Sequence, residues 1–565
     1  MTIRSHSTRI LLAALVLLVA AAPLFANSTI NIVNINAPGI GFNDPTPAAP
    51  VGGNPGTTLG QQRMIAFQYA ASIWSALLDS ATPINIEARM IPLACSPTAG
   101  TLGSTGALQI IRDFPGAPQA ATWYPIALAN RLAFVDLLPG AAGSTLADDM
   151  VTNFNSQLGT PACLTTLHWY YGLDDNHGAD IDLVTVLIHE YAHGLGFATF
   201  INKTTGAPLV GFHDVYERLL FDNPLGLRFD QMTDAQRAAS TQDTQHVVWV
   251  GANVTAKVPT TLQLGTPLLT VNSPASVAGI YAVGLAQFGP PLAAPGVTGN
   301  LVLVNDGIAP TADACSPIVN AAAIAGNVAL LDRGICTFAV KTKNAQNAGA
   351  IAVVVADNVA GSPPAGLAGV DPTITIPTVR ISLANGNTLK AALASGVNVT
   401  VGVNPAIRAG ADPAGRALIY TPVPVAGGSS LSHWDISAFP NLLMEPAINP
   451  DLTHNVDLTL PLFRDIGWAP DADLDGVVDS LDQCAASNLA PTVAIGTCNS
   501  GVPNTLFTTG CTISDLIASC AAGAGNHGGF VSCVSHLTND LKSGGLISGS
   551  QKGSIQSCAG GANIP

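Results

Sequence analysis

Ten cysteines, grouped along the chain as two, two and six, most constrain what this chain can fold into. An even number of cysteines in an exported protein predicts disulfide bonds, each of which ties together the section of chain around it. Because the first four form two separate groups, we expect Cys95 to bond to Cys163 and Cys315 to bond to Cys336. The last six can pair in fifteen ways, which leaves their connectivity open.

Export is predicted by residues 1–26, which are typical of a secretory signal peptide. Arg4 and Arg9 precede an apolar run over 10–22, and Ala26 offers a small residue at the cleavage point. An uncleaved membrane anchor is the alternative, but the apolar run is short for a bilayer span. No later apolar segment reaches that length. We therefore expect a secreted protein with no membrane span in the mature chain.

Charge and composition limit the kinds of molecule that the chain is expected to bind. The 565 residues carry a formal net charge of −15, and only 10% of them are charged, against roughly 25% in an ordinary soluble domain. Nucleic-acid binding needs a basic face, so the acidic chain argues against that partner. With 56 glycines and 40 prolines, the chain is expected to be rich in strands and loops, and its length predicts about three or four domains.

Hydrophobic periodicity locates several regular elements. Apolar residues at helical spacing predict helices over 61–78, 513–522 and 530–542. Alternating apolar residues predict a half-buried strand over 83–93, and a short continuous apolar run predicts a buried strand at 349–356.

The strongest motif is His189-Glu190-Tyr191-Ala192-His193, inside a segment over 180–196 that is predicted to be a helix. Two histidines four residues apart lie on one face of a helix, so both imidazoles can bind the same Zn²⁺. Glu190 lies beside them and is predicted to act as the general base that takes a proton from a zinc-activated water. We expect a zinc hydrolase acting on a protein or peptide substrate. The alternative is a surface helix with two solvated histidines.

A catalytic zinc needs a third protein ligand, whose identity the sequence near the motif leaves open. The longer pattern H-E-x-x-H-x-x-G-x-x-H retains its glycine at Gly196 but has Thr199 in place of the last histidine. Glu217 is one candidate, because some zinc hydrolases take a glutamate from a following helix. It is also readily explained as a solvated charge on a helix face.

A second candidate comes from a resemblance further along the chain. The segments 427–435, 441–447 and 458–468 carry Ser-His-Trp, Leu-Met-Glu-Pro and a closing helix in that order. This arrangement resembles the leishmanolysin family of metzincin zinc proteases, in which an insertion separates the glycine from the last histidine. The resemblance implies that His433 is the third zinc ligand and that Met444 is the Met-turn residue beneath the metal. Local context favours His433 over Glu217.

The insertion is too long to be a loop. There are 236 residues between Gly196 and His433, so a folded domain is expected between them. The segment 332–338, Asp-Arg-Gly-Ile-Cys-Thr-Phe, followed by Lys341 and Lys343, resembles the protease-associated (PA) domain. The resemblance implies a strand-rich module over 265–405 that binds or gates substrate, with a structural spacer as the alternative. Lys341 and Lys343 are expected to be solvated charges on a helix.

An acidic strip at 471–482 predicts a calcium site. Its carboxylates recur at positions 1, 3, 5, 9 and 12, and Gly476 at position 6 permits a sharp turn. Calcium prefers many oxygen ligands at such a spacing. The strip also resembles a thrombospondin type 3 repeat, with Cys484 just after it; an acidic linker is the alternative. The predicted ligands, with Val477 offering its backbone carbonyl, are Asp471, Asp473, Asp475, Val477, Asp479 and Asp482.

The predicted fold class is an α+β multidomain protein, in which a metzincin-like zinc protease domain is interrupted by a strand-rich PA domain and followed by a calcium repeat and a disulfide-rich helical tail. The predicted boundaries are 1–26 for the signal peptide, 27–264 and 406–469 for the catalytic domain, 265–405 for the insert, 470–487 for the repeat and 488–565 for the tail.

The predicted function is a secreted zinc endopeptidase with Zn²⁺ and Ca²⁺ as cofactors. The rival hypothesis is an extracellular binding or adhesion protein whose protease fold has lost its activity. An intact Glu190 argues against the rival, because a binding scaffold has no need of that carboxylate.

Overall fold

The computed structural model describes residues 28–140, 148–468, 473, 475, 482–507 and 509–564. The chain divides into two units. The first consists of Met1–Pro118 and Pro125–Leu195, and the second of Gln119–Tyr124 and Gly196–Pro565. The predicted signal peptide lies outside the described residues. Within the described ranges, no helix combines the length and apolar character that crossing a bilayer requires.

The described helices are α1 (Leu59–Leu77), α2 (Ile126–Ala133), α3 (Leu183–Leu195), α4 (Asp234–Ser240), α5 (Ala252–Thr261), α6 (Ala321–Ile324), α7 (Phe338–Asn347), α8 (Leu383–Ala392), α9 (Thr459–Ile466), α10 (Ile513–Gly523), α11 (His527–Ser543) and α12 (Gly549–Gly561). The described strands are β1 (Ile30–Asn34), β2 (Ile84–Ile91), β3 (Gly103–Ala107), β4 (Ile110–Ile111), β5 (Thr122–Pro125), β6 (Met150–Asn155), β7 (Trp169–Tyr170), β8 (Ile181–Asp182), β9 (His213–Asp214), β10 (Leu220–Asp222), β11 (Leu227–Arg228), β12 (Val247–Trp249), β13 (Leu264–Ser273), β14 (Gly279–Tyr281), β15 (Gly284–Leu285), β16 (Val297–Leu303), β17 (Val328–Asp332), β18 (Ala352–Ala356), β19 (Thr378–Ile381), β20 (Asn398–Arg408), β21 (Thr492–Ile495) and β22 (Cys498–Pro503).

The first unit is built on a four-stranded sheet in the order β1-β2-β6-β3. Strands β1, β2 and β6 are parallel, and β3 forms an antiparallel edge. Helices α1 and α3 pack together: the Trp74 indole nitrogen donates to the Ile188 carbonyl at 3.1 Å, and the Tyr191 hydroxyl donates to the Phe67 carbonyl at 3.3 Å. The disulfide Cys95–Cys163 lies in this unit, as the grouping of the cysteines predicted.

Eight strands between Leu264 and Arg408 form the largest sheet of the second unit, in the order β14-β13-β20-β16-β17-β18-β19-β15. Strands β16 to β19 are parallel neighbours. A parallel strand that is covered on both faces of its sheet has a continuous run of apolar residues in its sequence. Strand β18 is such a strand, because every one of its residues is buried. This strand agrees with the buried strand predicted at 349–356.

The chain enters and leaves this sheet at one place. Strands β13 and β20 are antiparallel, and Leu264 lies opposite Arg408. Just outside the sheet, the Ala409 amide donates to the Gln263 carbonyl at 3.0 Å, and the Gln263 amide donates to the Phe439 carbonyl at 2.9 Å. A folded insert can therefore separate two stretches of sequence while their ends remain adjacent.

Helix α7 of the insert corrects one prediction. Lys343 is half-buried and donates to the Thr373 carbonyl at 3.0 Å. Lys341, by contrast, is 0% exposed, and its ammonium donates to the Asp313 carbonyl at 2.6 Å. The expectation that Lys341 is a solvated charge is wrong, because the carbonyl and carboxylate of Asp313 provide polar partners inside the fold.

Segments on either side of the large sheet pack on each other within the second unit. The Trp249 amide donates to the Ala417 carbonyl at 2.9 Å. The Asp465 carboxylate on α9 accepts from the Trp249 indole nitrogen and from the Asn253 amide, each at 2.8 Å. Residues that precede the insert are thus joined to residues that follow it.

The described residues of the C-terminal tail form a β21–β22 hairpin and three helices, with an apolar core that includes Ile513, Phe530 and Ile555. Helices α10 and α11 cover the two predicted helical stretches and extend beyond them. The connectivity that the sequence left open is Cys484–Cys511, Cys498–Cys558 and Cys520–Cys533.

Candidate functional site

Helix α3, which carries the histidine motif, is held from its first turn. The Asp182 carboxylate accepts a hydrogen bond from the Thr185 amide at 2.8 Å, which satisfies one of the otherwise unpaired amides of a helix N-terminus. All residues of α3 except His193 are buried. Gly194 allows a close approach to β6, because a Cβ there would lie 2.2 Å from the Met150 methyl carbon. The motif is therefore set rigidly in the first unit.

The two motif histidines meet as the spacing predicts. The Nε2 atoms of His189 and His193 lie 3.2 Å apart. Two nitrogens bound to one tetrahedral zinc at roughly 2.0–2.1 Å lie about 3.3 Å apart, so the pair fits that ion. A hydrogen bond between the rings would require a proton on one Nε2, whereas a shared metal requires both to be unprotonated.

Glu190 lies between the two histidines in sequence and is 7% exposed. Burial raises the pKa of Glu190 to about 8, while hydrogen bonds from the Thr105 hydroxyl and amide oppose this increase. A carboxyl with a pKa near neutrality is suited to exchange protons. The geometry thus provides two nitrogen donors and a neighbouring proton acceptor.

Strand β3 supports Glu190 and was not found by sequence reasoning. Besides the Thr105 contacts, Gly103 leaves room for the glutamate: a Cβ there would lie 2.9 Å from the Glu190 Cγ atom. The signal available in the sequence is Gly-Ser-Thr-Gly-Ala, a strand of small residues, which is typical of a place where another group approaches closely.

The chain turns sharply where the helix ends. Gly196 has a φ of +128°, a backbone conformation that residues other than glycine rarely adopt. Immediately afterwards, in the second unit, the Phe197 ring packs edge-on against Trp434, with ring centroids 5.1 Å apart. Thr199, which replaces the last histidine of the longer motif, donates its hydroxyl to Asp214 at 2.8 Å. Thr199 is therefore part of a structural hydrogen bond.

His433 belongs to the second unit and is 5% exposed. Its Nδ1 atom lies 2.9 Å from the Ser429 carbonyl. Because a carbonyl only accepts, Nδ1 carries the proton, which makes Nε2 the nitrogen suited to bind a metal. The next residue, Trp434, donates its amide to the carbonyl of the buried Met444 at 2.8 Å, which links the His433 segment to the predicted Met-turn.

Glu217 is not the solvated helix charge that its sequence context suggested. It is 0% exposed and lies in a single 3-10 turn, Glu217–Leu219. One carboxylate oxygen is 2.5 Å from the His213 Nδ1 atom, and the other accepts from the Asp214 amide at 3.3 Å. Both oxygens of Glu217 are therefore engaged in local structure.

Part of the acidic strip is described. Asp473, Asp475 and Asp482 each bring one carboxylate oxygen within 4.8 Å of the others. Ser487 links two of them: its amide donates to Asp473 at 2.5 Å, and its hydroxyl donates to Asp475 at 3.1 Å. The other predicted ligands lie outside the described residues, and they are Asp471, Val477 and Asp479.

Comparison with known proteins concerns the insert. Residues 297–389 match the family model of the PA domain. The chain contains a PA domain. This match lies inside the sheet bounded by Leu264 and Arg408, and it includes the Cys315–Cys336 disulfide, which was predicted from sequence. No curated protein matches the chain.

Several solved structures share limited similarity with part of the chain. A zinc aminopeptidase from Bacillus subtilis is 21% identical over 27% of this chain and 36% of its own, with a TM-score of 0.19. An aminopeptidase from Aneurinibacillus is 18% identical over 34% and 42%, with a TM-score of 0.20. A subtilisin-like protease from an Antarctic Pseudoalteromonas is 22% identical over 26% and 34%, with a TM-score of 0.19. The chain spans less than half the length of each.

Proposed function

We propose that this chain is a secreted zinc-dependent endopeptidase that hydrolyses extracellular proteins or peptides. The observation that carries the proposal is the 3.2 Å separation of the His189 and His193 Nε2 atoms on a buried helix, with Glu190 between them. Carboxylate and imidazole in this arrangement are the ligand and base set of zinc hydrolases.

His433 is proposed as the third ligand, in keeping with the resemblance to leishmanolysin-like metzincins. Three observations support it: Nδ1 lies 2.9 Å from the Ser429 carbonyl, which makes Nε2 the nitrogen suited to bind a metal; the Gly196 turn directs the chain sharply after the helix; and Met444 is buried, with its carbonyl accepting from the Trp434 amide. Glu217, the alternative, has both carboxylate oxygens engaged with His213 and Asp214.

A bound zinc would supply Lewis-acid chemistry, activating a water molecule and polarising the scissile carbonyl. The other catalytic roles are filled by residues of this chain. Glu190 takes a proton at its carboxylate and returns it to the leaving amine. Thr105 fixes the carboxylate through two hydrogen bonds, and Gly103 leaves space for it. The apolar residues around α3 exclude bulk water from this carboxylate.

The other modules have supporting roles in this proposal. The PA domain binds or gates the substrate rather than cleaving it. Calcium binds the acidic strip through Asp473, Asp475 and Asp482, together with the predicted ligands Asp471, Val477 and Asp479. The convergence of three carboxylates, and the hydrogen bonds of Ser487 to Asp473 and Asp475, support this assignment. Calcium would then make the connection between the protease and the tail rigid.

The test separates the proposal from its rival, a binding or adhesion protein with an inactive protease fold. The purified protein is incubated with casein and with a peptide blocked at its N-terminus, with and without 1,10-phenanthroline. An endopeptidase cleaves both substrates, and the chelator abolishes cleavage. An aminopeptidase leaves the blocked peptide intact. Absence of cleavage in zinc-loaded protein supports the rival.

A further inference from the structure

The Cys315–Cys336 disulfide of the PA domain has an unusual neighbour. The Cys315 sulfur accepts two hydrogen bonds, one from the Cys336 amide at 3.3 Å and one from the Lys341 ammonium at 3.2 Å. Cys336 is partly exposed and follows Ile335, which is 92% exposed. Cys315 and Cys336 are both partly exposed, and the Cys315 sulfur is the one that contacts a buried cation.

The charges around Lys341 determine how strongly its ammonium can stabilise a negative charge on the Cys315 sulfur. Its side chain is 0% exposed, and its closest carboxylate oxygen belongs to Asp313, at 3.7 Å. Burial lowers the pKa of Lys341, whereas Asp313, Asp306 and Asp332 raise it. The Asp313 carboxylate lies farther from the ammonium than the Cys315 sulfur does, so a negative charge on that sulfur would be the nearer partner.

We propose that Cys315–Cys336 is a thiol-exchange site that an external dithiol reduces. One thiolate of the dithiol attacks the Cys336 sulfur, forming a mixed disulfide, and the Cys315 sulfur leaves with the electron pair as a thiolate. The second thiol of the dithiol then attacks the mixed disulfide. The dithiol is oxidised to a disulfide, Cys336 is released as a thiol after taking up a proton, and two electrons have passed to the protein.

The pKa values of the two thiols determine which sulfur leaves when the disulfide is cleaved. A thiol of lower pKa leaves faster, and a cation and an amide donor both stabilise a thiolate. Of the two sulfurs in this bond, the Cys315 sulfur is the one that the Lys341 ammonium and the Cys336 amide contact, so Cys315 is the better leaving sulfur.

Cys95–Cys163 provides an internal reference. Cys163 is 0% exposed, and its sulfur accepts from the neutral Asn155 side-chain amide at 3.5 Å. Cys95 is partly exposed, as Cys336 is, so the difference between the two bonds lies in the donor: the Cys163 sulfur has a neutral one, and this bond is expected to react more slowly with the same reductant.

The experiment treats the full-length protein with dithiothreitol for increasing times, alkylates free thiols and quantifies each cysteine peptide by mass spectrometry. Cys315 and Cys336 are expected to become labelled at least about 10-fold faster than Cys95 and Cys163. In the reduced protein, the pH midpoint for alkylation of Cys315 should lie below about 8.5, the ordinary thiol pKa.

Two lysine variants on the same helix isolate the cause. Lys341→Met should raise the Cys315 midpoint by about one pH unit or more, whereas Lys343→Met, two residues away, should leave it unchanged. Equal reduction rates for the two disulfides, or a wild-type midpoint at or above about 8.5, would overturn the proposal. If Lys341→Met does not fold, Lys341→Arg retains the charge and must keep the low midpoint.

Discussion

Glu190 is assigned to proton transfer, which distinguishes it from the neighbouring ligands. Glu190→Gln keeps the size of the side chain and one oxygen that can accept from Thr105, but removes the ability to take a proton. We expect hydrolysis to fall by about 10²-fold or more while bound zinc stays near one equivalent. Peptide cleavage and elemental analysis measure the two quantities. Joint loss of zinc and activity would contradict the role given to Glu190.

The third ligand is tested by comparing His433 with Glu217. His433→Ala should remove most of the zinc and all activity, because two histidines alone bind zinc weakly. Glu217→Gln should retain zinc and activity, since its carboxylate contacts His213 and Asp214. His246→Ala, at an exposed histidine, is the control for histidine loss. Zinc loss in Glu217→Gln with retention in His433→Ala would place the protein outside the metzincins.

At the scale of elements, β3 controls the position of Glu190. In Gly103→Ala the new Cβ would lie 2.9 Å from the Glu190 Cγ atom, so the glutamate must shift. We expect cleavage to decrease by about 10- to 100-fold with little change in zinc content, because misplacement of a catalytic group is costly. Gly106→Ala, in the same strand, meets no atom within 4 Å and serves as the matched control. Equal activities of the two variants would show that β3 does not position Glu190.

The acidic strip lies in sequence between the proposed protease domain and the tail, and calcium should stabilise that connection. Binding to the folded state alone contributes about 2.7 kcal/mol at a ligand concentration of 100 times the Kd. Chelation with EGTA, or the double variant Asp473→Asn, Asp475→Asn, should therefore lower the melting temperature by several degrees and expose 468–488 to proteolysis. Asp540→Asn, at an exposed position on α11, controls for the loss of charge. An unchanged melting curve in EGTA would leave the strip as a linker.

Local patterns were sufficient for some elements and insufficient for others. Helix α3 and its histidine pair follow from a spacing of four, which the helix itself converts into proximity. The contact of Thr105 with Glu190 joins a strand to a helix far along the chain, and no local pattern reports it. Lys341 was misjudged for the same reason. Helical spacing cannot show that Asp313 provides a buried partner for it.

For the whole molecule, buried carboxyl groups link stability to pH. Burial raises the pKa of Asp149 and Asp457 to about 6 and that of Glu445 to about 8. Between about pH 4 and 8 the folded chain retains protons that the unfolded chain has released, so the free energy of unfolding falls as the pH rises. Urea unfolding at saturating calcium should therefore show a lower midpoint at pH 8 than at pH 5.

A matched variant tests the cause of this dependence. Glu445→Gln removes the titrating proton while keeping an oxygen able to accept from the Leu442 amide, and it should flatten the decline between about pH 6 and 8. A wild-type midpoint that rises with pH would show that these carboxyls do not control stability in this range.

The pairing of Leu264 with Arg408 has a consequence for how such a chain can change over evolution. Because entry and exit lie on neighbouring strands, a gene fragment encoding the whole module could be acquired, lost or exchanged in one recombination event, and a short turn could reconnect the cut ends. Residues on either side would keep their places. The inserted module and the rest of the chain could in this sense be inherited separately, and each could diverge at its own rate.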